Sequence, residues 1–184
     1  MLSQKVGVIH GRFQILHYGH LEYLLEGKKR CDFLYIGITN PDPSLTKEEK
    51  TNSSRSMEIS NPLMYFERAI MIRDALLEAN IRREEFEIVP FPINYPDMIK
   101  YYVPLDATFF ITIYDNWGNH KQKVLEQMDL KVDVMWIRNM SERFTSGTEV
   151  RELIKSGKKW DHLVPPSVAT FIINNNLLNR VKNL

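Results

Sequence analysis

The stretch GRFQILHYGH, residues 11–20, decides the fold of this chain and points to its chemistry. It follows KVGVIH (residues 5–10), a β-branched run that predicts a buried strand. It leads into a helical pattern that starts near Gly19. A glycine directly after a strand lets the backbone turn tightly and lets a ligand approach it. We therefore expect a strand, a glycine turn and a helix whose first N–H groups can bind an anion.

The rest of the chain repeats this alternation of strand and helix. Four more short apolar runs predict buried strands at residues 33–39, 86–91, 107–114 and 132–137. Helical patterns follow at residues 61–79, with Asn61 as N-cap and Pro62 at the first helical position, and at residues 96–103 and 118–128. The alternation predicts an α/β protein with a Rossmann-like, doubly wound, five-stranded parallel sheet and a small C-terminal helical part.

Composition limits the classes of function. The 184 residues carry 24 basic and 23 acidic side chains, a net charge of +1, so no broad basic face predicts binding to nucleic acid or to a membrane. The single cysteine, Cys31, rules out an internal disulfide and favours a cytoplasmic location. We expect one domain, with residues 1–137 as the α/β core and residues 138–184 as a phosphate-binding loop and C-terminal helices.

Two histidines and an arginine stand where the first helix begins. His17 and His20 are three residues apart, so both can face one side of the helix, and Arg12 adds a permanent charge suited to phosphate oxygens. Metal binding is one alternative, but no other histidine or cysteine shows paired ligand spacing. General acid/base work alone does not explain the arginine and the glycines. Phosphoryl chemistry explains the whole set, because it depends on positioning and on stabilising charge at phosphorus.

A second helix start, TSGTEVRELI (residues 145–154), has a similar character. Ser146, Gly147 and Thr148 precede an amphipathic helix, and Arg151 follows one turn in. A serine at this place is often only an N-cap. Hydroxyls, free N–H groups and an arginine at a helix N-terminus also describe a polyphosphate site. Two such sites in one sheet suggest the two ends of a triphosphate.

The segment from Asn40 to Ser60 interrupts the alternation, because it is long and polar for a loop between strand and helix. It can be a solvated insertion, or a lid that closes over a charged ligand with Arg55 as a phosphate contact.

The two quoted motifs together resemble the signature pair of the HxGH nucleotidyltransferase superfamily. The chain is most similar to the archaeal-type nicotinamide-nucleotide adenylyltransferases, and the likeness continues through NPLMYFERAIMI (residues 61–72) and KKWDHLVPPSV (residues 158–168). In that family proline stands where this chain has Ile15. The segment at residues 93–103 is also shorter here and lacks the tryptophan expected to stack on nicotinamide.

The resemblance implies site residues. His17 and His20 would stabilise the transition state at the α-phosphate, and Arg12 and Arg151 would hold the β- and γ-phosphates. The implied nucleotide site comprises Gly11, Arg12, Phe13, Gln14, His17, Gly19, His20, Arg138, Asn139, Ser146, Gly147, Thr148 and Arg151, with the backbone of Arg138 and Asn139 at the edge of the base. Mg²⁺ would arrive on the triphosphate, with no metal site of the protein's own.

The resemblance also implies a reaction. We expect transfer of an NMP group from an NTP to a phosphorylated small molecule, with ATP and nicotinamide mononucleotide giving NAD as the first hypothesis. The alternative is a cytidylyltransferase that acts on a small phosphate or phosphonate, which the insertion and the missing tryptophan favour. A nucleotide sensor without turnover is a third. We expect the acceptor to contact Asn40, Arg55 and Trp117, with packing of a loop as the alternative role of Trp117, and the resemblance suggests self-association.

Overall fold

Five parallel strands form one sheet in a computed structural model that describes residues 5–46 and 57–183. The strands are β1 (Val6–Gly11), β2 (Phe33–Ile38), β3 (Phe86–Pro90), β4 (Thr108–Ile113) and β5 (Lys131–Ile137). Their order across the sheet is β3-β2-β1-β4-β5, and every neighbouring pair is parallel. The predicted Rossmann-like α/β fold is confirmed, and each strand lies within two residues of its predicted bounds.

The helices lie between the strands and after β5. They are α1 (Tyr18–Lys29), α2 (Tyr65–Glu78), α3 (Asn116–Glu126), α4 (Gly147–Lys155), α5 (Pro166–Asn174) and α6 (Leu177–Lys182). Short 3₁₀ turns at Pro43–Leu45, Glu58–Ser60, Arg83–Glu85, Pro96–Tyr101, Met140–Glu142 and Asp161–Leu163 complete the described structure. Among the described residues no helix combines the length and the apolar character needed to cross a membrane.

Two predicted helices differ from the structure. Helix α2 begins at Tyr65 with Met64 as N-cap, so the prediction that Asn61 and Pro62 start it is wrong. The cause is a long-range contact: the Gln14 side-chain amide pairs with both backbone polar groups of Leu63, each at 2.9 Å, and this holds the preceding chain out of the helix. The predicted helix at residues 96–103 is instead the 3₁₀ turn Pro96–Tyr101.

The sheet separates two apolar clusters, because side chains alternate between its faces. Ile9 of β1 belongs to the cluster beneath α1, α2 and the C-terminal helices, whereas Val8 belongs to the cluster beneath α3 and the 3₁₀ turn. An ion pair fastens the C-terminus to this core, since Arg180 of α6 donates to both carboxylate oxygens of Glu67 in α2 at 2.8 and 2.6 Å. The C-terminal helices therefore pack on the same side of the sheet as α1 and α2.

The strand order reverses between β1 and β4. In open parallel sheets the crevice outside the carboxyl ends of the strands at such a reversal is the usual ligand site. A cleft of about 470 Å³ lies there, within the usual size range of small-molecule sites. Its walls come from the turn after β1, the turn after β4, the end of β5 and the start of α4.

Candidate active site

The cleft brings the two sequence motifs together. Eleven of the thirteen residues implied for the nucleotide line it: Gly11, Arg12, Phe13, Gln14, His17, Gly19, His20, Ser146, Gly147, Thr148 and Arg151. The first seven run from the end of β1 to the first turn of α1, and the last four lie at the start of α4. Residues more than 120 positions apart in the chain thus form one site.

The β1–α1 turn owes its shape to Gly11 and Phe13. Phe13 adopts a left-handed backbone conformation (φ 53°), and its ring is fully buried against His20, edge to face with centroids 5.1 Å apart. A Cβ atom on Gly11 would lie 2.9 Å from the Phe13 ring. Glycine is therefore needed at residue 11 so that Phe13 can fold under the turn and support His20.

The two histidines occupy the start of α1. His17 is the N-cap, and its Nδ1 accepts a hydrogen bond from the backbone N–H of His20 at 3.3 Å. The two rings stack with centroids 3.8 Å apart and planes 21° from parallel. Because Nδ1 of His17 is an acceptor, a neutral His17 carries its proton on Nε2.

Burial keeps both rings neutral. Desolvation, followed by the charges of Arg143 and Arg151, lowers the pKa of His17 to about 3. Desolvation, with the nearby His17, Arg12 and Arg143, also holds the pKa of His20 well below its ordinary value. The surroundings favour neutral rings, although a backbone hydrogen bond with Ile15 partly offsets the lowering of the His20 pKa.

The start of α4 is fixed to the first motif. Arg151 is buried and donates to the carbonyl oxygen of Gln14 and to the hydroxyl of Thr148, the latter at 3.2 Å. A Cβ atom on Gly147 would collide with the same Gln14 carbonyl, so only glycine lets the helix come this close. Ser146 caps α4 by accepting from the N–H of Glu149 at 3.1 Å. Ser146 is therefore the N-cap of α4, and the helix start that it caps also lies beside the first motif.

Gln14 contributes only its backbone to this junction. Its side-chain amide is taken up by Leu63, as described above, so the structure does not leave it for a nucleotide. Arg68 has a comparable structural task. It is fully buried and donates to the carbonyl oxygens of Arg12, Thr39 and Asn40 at 2.8 to 3.0 Å, which joins the turns after β1 and β2.

An aromatic wall that the sequence did not reveal closes one side of the cleft. Tyr114 and Trp136 are joined by a hydrogen bond from the indole Nε1 to the phenol oxygen at 2.9 Å. The guanidinium of Arg143 lies 4.4 Å from the Tyr114 ring centre, and that of Arg138 lies 4.4 Å from the Trp136 ring. A register shift between β4 and β5 near Ile111 brings Trp136 opposite Thr112, a placement with no local sequence signal.

The remaining predicted site residues lie elsewhere. The backbone N–H of Arg138 donates to Ile113 and that of Asn139 to Glu142, so neither amide is left to read a base, and both residues sit outside the lining of the cleft. Asn40 is buried behind it, with its carbonyl bound by Arg68 and its side chain contacted by Asn94 at 3.3 Å. Trp117 is the second residue of α3, and its side chain lies outside the described structure. Arg55 and the middle of the predicted lid, residues 47–56 of the segment from Asn40 to Ser60, also lie outside the described residues.

Metal-ligating side chains are dispersed in the described ranges, 5–46 and 57–183. No three histidine, cysteine, aspartate or glutamate side chains there lie close enough to hold an ion. The two carboxylates that line the cleft each pair with an arginine: Glu22 with Arg138 at 2.9 Å, and Asp115 with Arg143 at 3.9 Å. The cleft therefore presents cations and N–H donors to a ligand.

A cleft at a sheet reversal, with two helix starts and several guanidinium groups turned to it, defines a nucleotide-binding α/β protein. The model of the family described as cytidylyltransferase-like matches residues 8–153, and the chain belongs to this family. It is a nucleotidyltransferase that uses an NTP and a small-molecule acceptor, as the resemblance of the two motifs predicts.

Individual relatives refine this placement. The chain is 46% identical over 176 residues to the phosphonoformate cytidylyltransferase of Streptomyces viridochromogenes, covering 96% of this chain and 95% of that one. It is 30% identical over 175 residues to the nicotinamide-nucleotide adenylyltransferase of Methanosarcina barkeri, covering 95% and 91%.

A solved structure shares the fold. It is a bifunctional NMN adenylyltransferase/ADP ribose pyrophosphatase from Francisella tularensis, complexed with AMP and a manganese ion, with a TM-score of 0.66 and 15% identity. The likeness covers 98% of this chain and 52% of that one, so this chain spans about half the length of that protein.

Proposed function

We propose that this protein is a cytidylyltransferase that moves the CMP group of CTP to a small phosphonate and releases pyrophosphate. The observation that carries the proposal is the 46% identity, over nearly the full length of both chains, to a phosphonoformate cytidylyltransferase. The identity to nicotinamide-nucleotide adenylyltransferases over the same span is 30%. This favours the alternative of the sequence analysis over its first hypothesis.

In this proposal, a phosphonate oxygen of the acceptor attacks the α-phosphorus of CTP. A new P–O bond forms as the bond from the α-phosphorus to the bridging oxygen breaks, and pyrophosphate leaves with that electron pair. The neutral rings of His17 and His20 donate N–H groups to the α-phosphate oxygens as charge builds up there. The account needs no covalent intermediate on the protein.

The two helix starts and the arginines would hold the triphosphate. The N-termini of α1 and α4 face the cleft with their first N–H groups and the positive ends of their helix dipoles. Arg151 lies between these two helix starts. Arg12 also lines the cleft on the side of the first turn. Mg²⁺ bound to the triphosphate would neutralise part of its charge, and because the carboxylates of the cleft are paired with arginines, we expect the ion to arrive with the nucleotide.

The structure supports a small acceptor. The chain between β3 and β4 turns its apolar side chains into the molecule: Ile93, Ile99 and Val103 are at most 5% exposed and pack in the cluster under α3. This short segment is the one that lacks the tryptophan expected for nicotinamide. Ile93, Ile99 and Val103 fill space within the molecule instead of forming an open platform for a large ring.

Adenylylation of nicotinamide mononucleotide, giving NAD, is the second candidate. It is supported by the 30% identity to archaeal enzymes of that name. The predictions of a cytoplasmic location, of self-association and of magnesium carried by the nucleotide stay predictions.

The experiment that tests the proposal is a panel of reactions followed by ³¹P NMR, with CTP, ATP, GTP and UTP crossed against phosphonoformate, methylphosphonate and nicotinamide mononucleotide. We expect a new phosphonate–phosphate anhydride signal with CTP and phosphonoformate. Purified His20→Ala protein is the control for contaminating enzymes. Turnover only with ATP and nicotinamide mononucleotide would replace the proposal by the second candidate, and no turnover with bound nucleotide would favour a sensor.

A further inference from the structure

One imidazole in the cleft belongs to neither phosphate-binding motif. His10 is the residue before Gly11 in β1, it lines the cleft, and only 2% of it is exposed. Both of its ring nitrogens are buried and have no hydrogen-bond partner among the described residues. A buried polar group left unpaired is costly, so its retention beside a ligand cleft points to a partner that arrives with the ligand.

The ring of His10 is held in one plane. It stacks on Phe91 with centroids 4.6 Å apart and planes 11° from parallel. Phe91 fits there because Gly37, the β2 partner of His10, has no side chain: a Cβ atom on Gly37 would lie 2.6 Å from the Phe91 ring. Three residues from three neighbouring chain segments thus fix the direction of an unpaired imidazole, which is the preorganisation expected of a binding group.

A cation in the same cleft acts electrostatically on this ring. Lys121, in the second turn of α3, lines the same cleft, and its charge adds to burial in holding the pKa of His10 well below the ordinary value. His10 is therefore neutral and offers one N–H, while Lys121 supplies positive charge. The two belong to β1 and α3, on either side of the sheet reversal, whereas the phosphate-binding groups belong to α1 and α4.

We propose that His10 and Lys121 bind the second anionic group of the acceptor, the carboxylate of a carboxyphosphonate, while its phosphonate faces His17 and His20. The inference rests on the proposed function and deepens it, because it assigns the selection of the acceptor to two residues. It explains how a small acceptor is held without the tryptophan that residues 93–103 lack: one end is anchored by a charge-assisted pair and the other end is left at the α-phosphorus.

Steady-state kinetics with paired acceptors test the proposal. The wild type should have a KM for phosphonoformate about 10- to 100-fold below that for methylphosphonate, which lacks the carboxylate. His10→Phe keeps the aromatic stack on Phe91, and Lys121→Met keeps a long side chain without its charge. Each variant should lose the preference for phosphonoformate with little change in the KM for CTP. Lys121→Arg keeps the positive charge and should retain part of the preference for phosphonoformate. Lys123→Met, an exposed change on the same helix, is the control and should behave as the wild type.

A binding measurement separates this inference from the proposed function. Calorimetric titration of the CTP-loaded protein in Ca²⁺ in place of Mg²⁺, with phosphonoformate or methylphosphonate, reports the carboxylate contact whether or not turnover occurs. Tighter binding of phosphonoformate that is lost in Lys121→Met supports the site even if another nucleotide proves to be the donor. Equal binding of the two acceptors by the wild type, or an unchanged preference in both variants, would overturn it, and would leave His10 as a residue satisfied by buried water.

Discussion

The imidazole rings of His17 and His20 stack with their centroids 3.8 Å apart, and the first accepts a hydrogen bond from the backbone of the second. His17 thus caps the helix, and the same contact fixes the proton of the neutral His17 ring on Nε2. Since burial keeps both rings neutral, the contribution that we propose for them in phosphoryl transfer is hydrogen-bond donation. This relationship leads to the first predictions.

Replacing His20 should separate rate from binding. His20→Ala removes a donor whose contribution is realised as charge develops at the α-phosphorus, so kcat should fall about 100- to 1,000-fold while the KM for the nucleotide changes less than about threefold. Initial rates of pyrophosphate release at varied CTP measure both. Equal losses in kcat and in nucleotide affinity would place His20 in ground-state binding instead.

Replacing His17 should separate capping from catalysis. Asparagine is a good N-cap without an imidazole, so His17→Asn should lose activity but keep the stability of the fold, whereas His17→Ala should also lose about 0.5–2 kcal/mol in the free energy of unfolding. Urea denaturation compares the two variants. Identical stabilities of the two would show that the cap contributes little.

The buried histidines should make the fold sensitive to acid. The folded-state pKa values of His10, His17 and His20 lie below the ordinary value near 6.5, so below that pH the unfolded chain takes up protons that the folded chain excludes. The free energy of unfolding should therefore be flat above about pH 7.5 and fall by about 3 kcal/mol between pH 6.5 and 5.5 if all three contribute. Urea titrations at these pH values measure it. His10→Phe should reduce the slope, and a slope that does not change would contradict the assignment.

Arg151 should couple the two phosphate-binding motifs. A lysine cannot reproduce the two directions in which the guanidinium donates, to Gln14 and to Thr148, so Arg151→Lys should lower kcat/KM for CTP about 100-fold. Lys158→Met, an exposed change just after α4, is the matched control and should stay within about twofold. Near-normal kcat/KM in Arg151→Lys would mean that the charge alone is sufficient.

Arg68 should be a structural residue. It is buried and binds three backbone carbonyls, so Arg68→Met leaves those oxygens without a donor and should cost about 3 kcal/mol or more in the free energy of unfolding. Arg73→Met lies on the same helix, is exposed, and should change stability by less than about 0.5 kcal/mol. Chemical denaturation of the two variants side by side gives the comparison, and equal stabilities would rule out the tie between the two turns.

The sequence predicted what is local and failed where distant contacts decide. The strands were predictable because buried β-branched runs leave a clear pattern, and the start of α1 because a glycine turn precedes it. The start of α2 was not, because Gln14, 49 residues before Leu63, holds the chain that contains the Asn61–Pro62 signal. The aromatic wall was missed because a register shift between two strands aims Trp136 at Tyr114. The sequence did not reveal that the His10 ring lacks a hydrogen-bond partner among the described residues, because a missing contact leaves no pattern in the sequence.

The most direct test of the central claim is a competition in one vessel. The protein is given equal concentrations of CTP and ATP together with phosphonoformate and nicotinamide mononucleotide, and the products are separated and identified by mass. The proposed function predicts that the mixed anhydride of CMP and phosphonoformate accumulates first and that its formation is lost in His20→Ala. Accumulation of NAD without that product would contradict the account and would assign the cleft to adenylyl transfer.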